Sequence, residues 1–286
     1  LIREERCMRE LYEELPVFRR ARGFRLYDGS GRRYLDLYQN GGAAILGHGD
    51  PRVSRAVKAA LSRGETGPLP SVYAGRLCSA LRALLPGHPH IYLFPSRAEA
   101  VAALAGAAET AGSAPADAHR RLLPDPATGA QSGEHPFISL WRPFLPEEVR
   151  ATVLLPVLPF AMADHIQPVC VQDGGPAVIS GALSPVILSG AVAALATYAA
   201  FVRQPPAVSP HEVAVWDEFD HPSWTRRGPY MTSGLQGKEY SRLFRHFLRR
   251  NIVLPPDPEM PVILPYRASA GEVHNVIESS SIERGG

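Results

Sequence analysis

Apolar and polar positions along the chain follow two rhythms. In residues 3–15, Met8, Leu11, Tyr12 and Leu15 share one side of a helix that Pro16 ends. Val53, Ala56, Val57, Ala60 and Leu61 recur at i, i+3, i+4, i+7 and i+8. Leu77, Ala80, Leu81, Leu84 and Leu85 keep the same spacing up to Pro86-Gly87, so two more amphipathic helices are predicted. Nearer the end, Tyr240, Leu243, Phe244, Phe247 and Leu248 form a helical face opposite Arg242, Arg245, Arg249 and Arg250. Val273, Val276 and Ile277 mark a last helix.

The other rhythm is the short apolar run. Residues 91–94 (IYLF) are too few for a helix and predict a buried strand, stopped by Pro95. Runs at 137–141, 152–158, 168–171 and 177–180 read as further strands of the same sheet; near the end 226–231 enters a strand and 261–264 forms another. Residues 23–37 predict a β-hairpin around Asp28-Gly29-Ser30-Gly31. Residues 112–136 have no period and predict a long surface loop. Between 174 and 202 there is no charged residue, a length that could span a membrane. Ser184-Pro185 divides that stretch and its flanks offer weak anchors, so a buried strand followed by a buried helix is the favoured reading.

Composition changes this picture little. With 286 residues, 45% hydrophobic and 20% charged, the chain is globular and long enough for a sizeable core. A net charge of +2 selects no partner. Of the basic residues 28 are Arg and only two are Lys, Lys58 and Lys238. Cys7, Cys78 and Cys170 are odd in number and widely spaced, which suits reduced thiols in a cytoplasmic compartment. The charged opening LIREERCMRE has no secretory pattern. The arginine face near 242–250 reads as solvated, and neither nucleic acid nor membrane is expected as a partner.

Candidate chemistry centres on residues 91–108. After the strand, Ser96 occupies a helix N-cap position with Glu99 three residues on, the capping-box spacing. Such a strand–turn–helix points free N–H groups and the positive end of the helix dipole into a crevice, a place for an anion such as phosphate. His88-Pro89-His90 and the cluster Asp217-Glu218-Phe219-Asp220-His221 read as loop groups, and no metal site is assigned. Hydrolase, zincin, nucleotide-triphosphatase and dinucleotide motifs are missing from the sequence.

Taken jointly, the landmarks resemble the class III aminotransferases, including glutamate-1-semialdehyde aminomutase. Gly23, Asp28, Gly31, Tyr34 and Asp36 supply a hairpin pattern of that family, Gly47-His48-Gly49-Asp50-Pro51 its G-H-x-x-P, and Ser96-Arg97-Ala98-Glu99-Ala100 its S-G-[ATS]-E-A. Ser184-Pro185, residues 227–231 (RGPYM) and residues 251–256 (NIVLPP) look like its later landmarks. The resemblance implies an α/β fold of the type I pyridoxal-phosphate-dependent transferases. The central sheet would be reduced, with helices on both faces, and a small α+β domain would come from the two chain ends. The implied domains are 1–55, 56–203 and 204–286. A homodimer and an anionic small molecule are the implied partners.

Pyridoxal phosphate is the implied cofactor, with Ser96, Arg97 and Ala98 at its phosphate and Asp173 as the candidate for its pyridine nitrogen. The middle of the chain departs from the family. Between Lys58 and Lys238 there is no lysine to form the imine, Arg97 replaces a glycine of the phosphate turn, and Asp173 precedes Gly-Gly. No catalytic residue is therefore assigned. The expectation is a relative without transaminase activity that acts as a dimeric ligand-binding or regulatory scaffold. The alternative is an active aminotransferase or aminomutase with an atypical site.

Overall fold

A computed structural model describes residues 9–110, 125–128, 137–146, 150–218, 222 and 224–280. After a helical segment at 9–13 come β1 (Phe18–Arg22), β2 (Arg25–Asp28), β3 (Arg33–Asp36), α1 (Pro51–Ser62), α2 (Val72–Leu84), β4 (His90–Phe94) and α3 (Arg97–Thr110). The middle holds β5 (Ile138–Trp141), β6 (Val153–Pro156), β7 (Gln167–Val171) and α4 (Pro185–Arg203). Then follow β8 (Val213–Ala214), β9 (Thr225–Arg227), β10 (Tyr230–Thr232), α5 (Gly237–Arg249), β11 (Ile252–Val253), β12 (Val262–Ile263), β13 (Arg267–Ala268) and α6 (Ala270–Ser280).

Two compact units share the chain: Leu1–Gly49, Phe144–Pro146 and Pro206–Gly286 form one, Asp50–Pro143 and Glu147–Pro205 the other. The first unit is α+β. Its largest sheet runs β1-β2-β3-β11, antiparallel except that β11 lies parallel to β3. The β2–β3 turn forms because the Asp28 carboxylate accepts from the N–H groups of Ser30 and Arg32, each at 2.9 Å, while Gly31 takes a φ of +83°. The apolar face of α5 (Tyr240, Leu243, Phe244, Phe247) packs into a core with Leu35, Ile252, Val262, Val273 and Val276. The RGPYM stretch turns at Gly228-Pro229, so it makes two strands, β9 and β10, where one was expected.

The second unit is a four-stranded sheet in the order β4-β7-β6-β5. β7 is antiparallel to β4 and β6, whereas β5 and β6 are parallel. Alternation along the strands separates two cores. Ile91, Leu93, Leu154 and Cys170 pack with α2 and α4. Phe94, Leu140, Val153, Leu155 and Val169 pack with Ala100, Val101 and Leu104 of α3. Helices therefore cover both faces of a reduced sheet.

Two further expectations change. Residues 177–180 form no strand: Leu93 N–H donates to the Ser180 hydroxyl (3.1 Å), and only one backbone bond, Gly181 N to Leu93 O (2.8 Å), joins this segment to β4. A side chain taking the ladder's donor stops the ladder. Most of 112–136 lies outside the described residues, but Pro126–Thr128 is a 3₁₀ turn with Pro126 and Ala127 buried, not surface loop. The loop reading of His88-Pro89-His90 holds for His88, while His90 is the first residue of β4. His88 is buried with Nε2 2.7 Å from Ala151 O, and His90 is exposed. The side chains of the 217–221 cluster lie outside the described residues. α4 is long and apolar enough to cross a membrane, and Leu188, Ala191, Ala194, Leu195 and Tyr198 are buried within the second unit.

Candidate functional site

β4, β5 and β6 point the same way, so their carboxyl ends meet at one edge of the sheet, where β7 begins. In open α/β sheets that edge is where ligands bind. Ser96 follows β4 and caps α3. Its Oγ accepts from Glu99 N–H at 3.2 Å and donates to a Glu99 carboxylate oxygen at 3.1 Å. The N–H groups of Arg97 and Ala98 have no partner among the described residues. They supply the positive helix end that the sequence predicts.

Around this corner stand groups that sequence reasoning missed. Gln167, the first residue of β7, is buried and donates through Nε2 to Pro156 O (3.1 Å) and Pro168 O (2.8 Å). Its Oε1 accepts from Arg97 Nε at 3.2 Å. Arg142, directly after β5, grips both oxygens of Asp125, with Nε at 2.7 and 2.8 Å, and the pair is nearly buried. Arg97 stays a cation. Although much of its side chain is exposed, packing around the guanidinium and the like charge of Arg142 lower its pKa, opposed by Asp125 and Asp164. Arg142 and Gln167 had one usable signal, their places next to apolar runs. Asp125 had none, because it lies in a stretch without period.

Asp173 is placed elsewhere. It follows the carboxyl end of β7, and the register pairs Val171 with His90 and Gln167 with Phe94. Asp173 therefore lies at the opposite edge of the sheet from Ser96–Arg97–Ala98, separated by the length of β4, roughly 13 Å. Its side chain is 86% exposed and holds His90 Nε2 at 2.9 Å. Lys58 on α1 and Lys238 on α5 are exposed.

A second polar cluster lies in the first unit. Asp36 is buried, takes the N–H groups of Tyr38 and Gln39 on one oxygen and meets His48 Nε2 at 2.7 Å with the other. Gln39 and Asn40 follow with φ of 45° and 48°. This arrangement ties the hairpin to the G-H-x-x-P segment.

The sheet with its capped α3 corner and the α+β unit together have the fold of the class III aminotransferases. A solved omega-transaminase of Sphaerobacter thermophilus superposes with a TM-score of 0.67 over 97% of this chain and 96% of its own, at 16% identity. The family described as Aminotransferase class-III matches residues 9–119. Over 86 residues, 30% of this chain and 20% of the relative, the sequence is 37% identical to a glutamate-1-semialdehyde 2,1-aminomutase of Heliobacterium modesticaldum. Over 152 residues, 53% of this chain and 43% of the relative, it is 37% identical to an uncharacterized protein of Treponema pallidum. The chain spans less than half the length of these curated relatives.

Pyridoxal phosphate in this fold needs an amine for its imine and a carboxylate against the ring nitrogen. Among the described residues, the α3 corner has neither available. Within the second unit the one lysine, Lys58, lies on α1 with no hydrogen bond or ion pair to the corner among the described residues, Asp125 is locked to Arg142, and Asp173 is at the far edge. Only the phosphate end of the cofactor finds suitable groups, so the residues present do not fit the group as a covalently held cofactor.

Proposed function

We propose that this protein is a class III aminotransferase-like scaffold without transaminase activity, working as a homodimer in a reducing, cytoplasmic compartment. Its α3 corner takes a small anion on the N–H groups of Arg97 and Ala98, with Arg97 adding charge. The observation that carries this reading is the separation of Asp173 from Ser96 by the whole length of β4. Without an amine in place, imine exchange with an amino acid has no starting point. Cys78 and Cys170 are free thiols, which suits the compartment.

An absorption titration with pyridoxal phosphate tests the reading. The expected spectrum is that of free cofactor, unchanged by Lys58→Ala or Lys238→Ala. An imine band that either substitution abolishes overturns it and supports the second reading, an active aminotransferase or aminomutase with an atypical site. That second reading is favoured by the aminomutase identity and by the unpartnered N–H pair at α3.

A further inference from the structure

The first unit carries an open cleft of about 130 Å³, lined by Arg33, Leu35, Arg250, Asn251, Ile252, Glu272 and Asn275. Topology brings these residues together. β11 pairs in parallel with β3, Ile252 opposite Leu35, so the start of β3 meets the end of α5, and α6 adds Glu272 and Asn275. Buried Leu35 and Ile252 make an apolar floor.

Two guanidinium groups border this floor, and the chain's own carboxylates leave both underused. Arg33 Nε stands 3.6 Å from Glu272, too far for a hydrogen bond. Glu272 is already committed. Its oxygens accept from Arg25 Nε (2.9 Å) and Nη2 (2.7 Å) and from the N–H and hydroxyl of Ser269 (2.9 Å each). Its charge is answered by Arg25. Arg250 reaches Glu278 through one nitrogen at 3.3 Å, in an exposed pair that solvent weakens. Asn275 spends Nδ2 on Arg250 O (3.0 Å), and its amide oxygen faces no donor among the described residues. Asn251, whose N–H closes α5 on Leu248 O, makes no side-chain hydrogen bond among them.

We propose that this cleft is a binding site for a small anion carrying a carboxylate or phosphate group, gripped between Arg33 and Arg250. A planar guanidinium with unused N–H donors matches either oxyanion bidentately, and two of them over an apolar floor strengthen the pairing by limiting water. The amides of Asn251 and Asn275 would fix the orientation of the rest of the molecule. The bland competitor is a solvated rim of arginines, which would bind no anion saturably.

Calorimetric titration of the full chain with inorganic phosphate, and separately with succinate, at constant ionic strength decides between them. Saturable binding of at least one anion is expected, and the tighter of the two identifies the head group. Arg33→Gln and Arg250→Gln should each weaken it by about tenfold or more. Arg33→Lys should recover only part of the loss, since an ammonium cannot bind bidentately. Circular dichroism on each variant establishes that it is folded. Arg20→Gln, on an exposed strand outside the cleft, should leave binding unchanged. An anion held at the α3 corner is a separate component, lost in Arg97→Gln and kept in the cleft variants; the proposal is overturned by non-saturable uptake, by an equal loss in Arg20→Gln, or by a stoichiometry and affinity that Arg33→Gln and Arg250→Gln leave unchanged.

Discussion

Glu272 illustrates what a single side chain does here. Burial alone would raise its pKa, but hydrogen bonds from Arg25 and Ser269 and the Arg25 charge outweigh burial and hold it at about 2. A carboxylate depressed in the folded state adds stability that is fully present above its unfolded value, about 4.3. That contribution is lost as pH falls from about 4 toward 2. Urea midpoints should therefore drop over this window, and Glu272→Gln should flatten the drop. At neutral pH the same substitution should destabilise the protein by about 2 kcal/mol, because Arg25 loses its two short charge-assisted hydrogen bonds and keeps only Glu212 at 3.4 Å; a wild-type midpoint in the variant would refute this. Local pairs such as Ser96 with Glu99 are legible in sequence because three residues of helix dictate the contact. The Asp36–His48 pair was not, since twelve residues separate its members and only the hairpin's return brings them together.

At the scale of elements, α1 and α4 cross at Gly190. A Cβ there would lie 2.6 Å from the Phe160 ring and 3.0 Å from Val57. Gly190→Ala should cost about 2 kcal/mol by overpacking. Gly106→Ala, in α3 with open space around it, should instead stabilise by about 0.5–1 kcal/mol from helix propensity alone. Equal shifts of the two denaturation midpoints would show that the crossing is not tight. Helices with wide apolar stripes, α1, α2 and α5, were readable from period, and so was the pause at Ser184-Pro185, where Ser184 caps α4 by accepting from Val186 N–H at 3.3 Å. Residues 177–180 misled because an apolar run reports burial, not whether its backbone will join a ladder.

At the scale of the whole molecule, the fold keeps the α+β unit and the carboxyl edge of a transaminase-type sheet, with Asp173 at the opposite edge from Ser96. The proposed scaffold reading requires two copies of the chain to associate. Sedimentation equilibrium should therefore give twice the mass of the chain at micromolar concentration. A strictly monomeric protein would remove the scaffold reading while leaving the pyridoxal-phosphate result untouched.

The sequence by itself determined the helices, the strand-and-cap corner at Ser96 and the absence of lysine between 58 and 238, because propensity, capping and composition act over a few neighbouring residues. Only the tertiary structure decided that β7 runs antiparallel to β4. That direction sends Asp173 to the far edge of the sheet and brings Gln167 beside Arg97. Strand direction is set by how the faces of the sheet bury against α2, α3 and α4, a balance of contacts distant in sequence that no local pattern records.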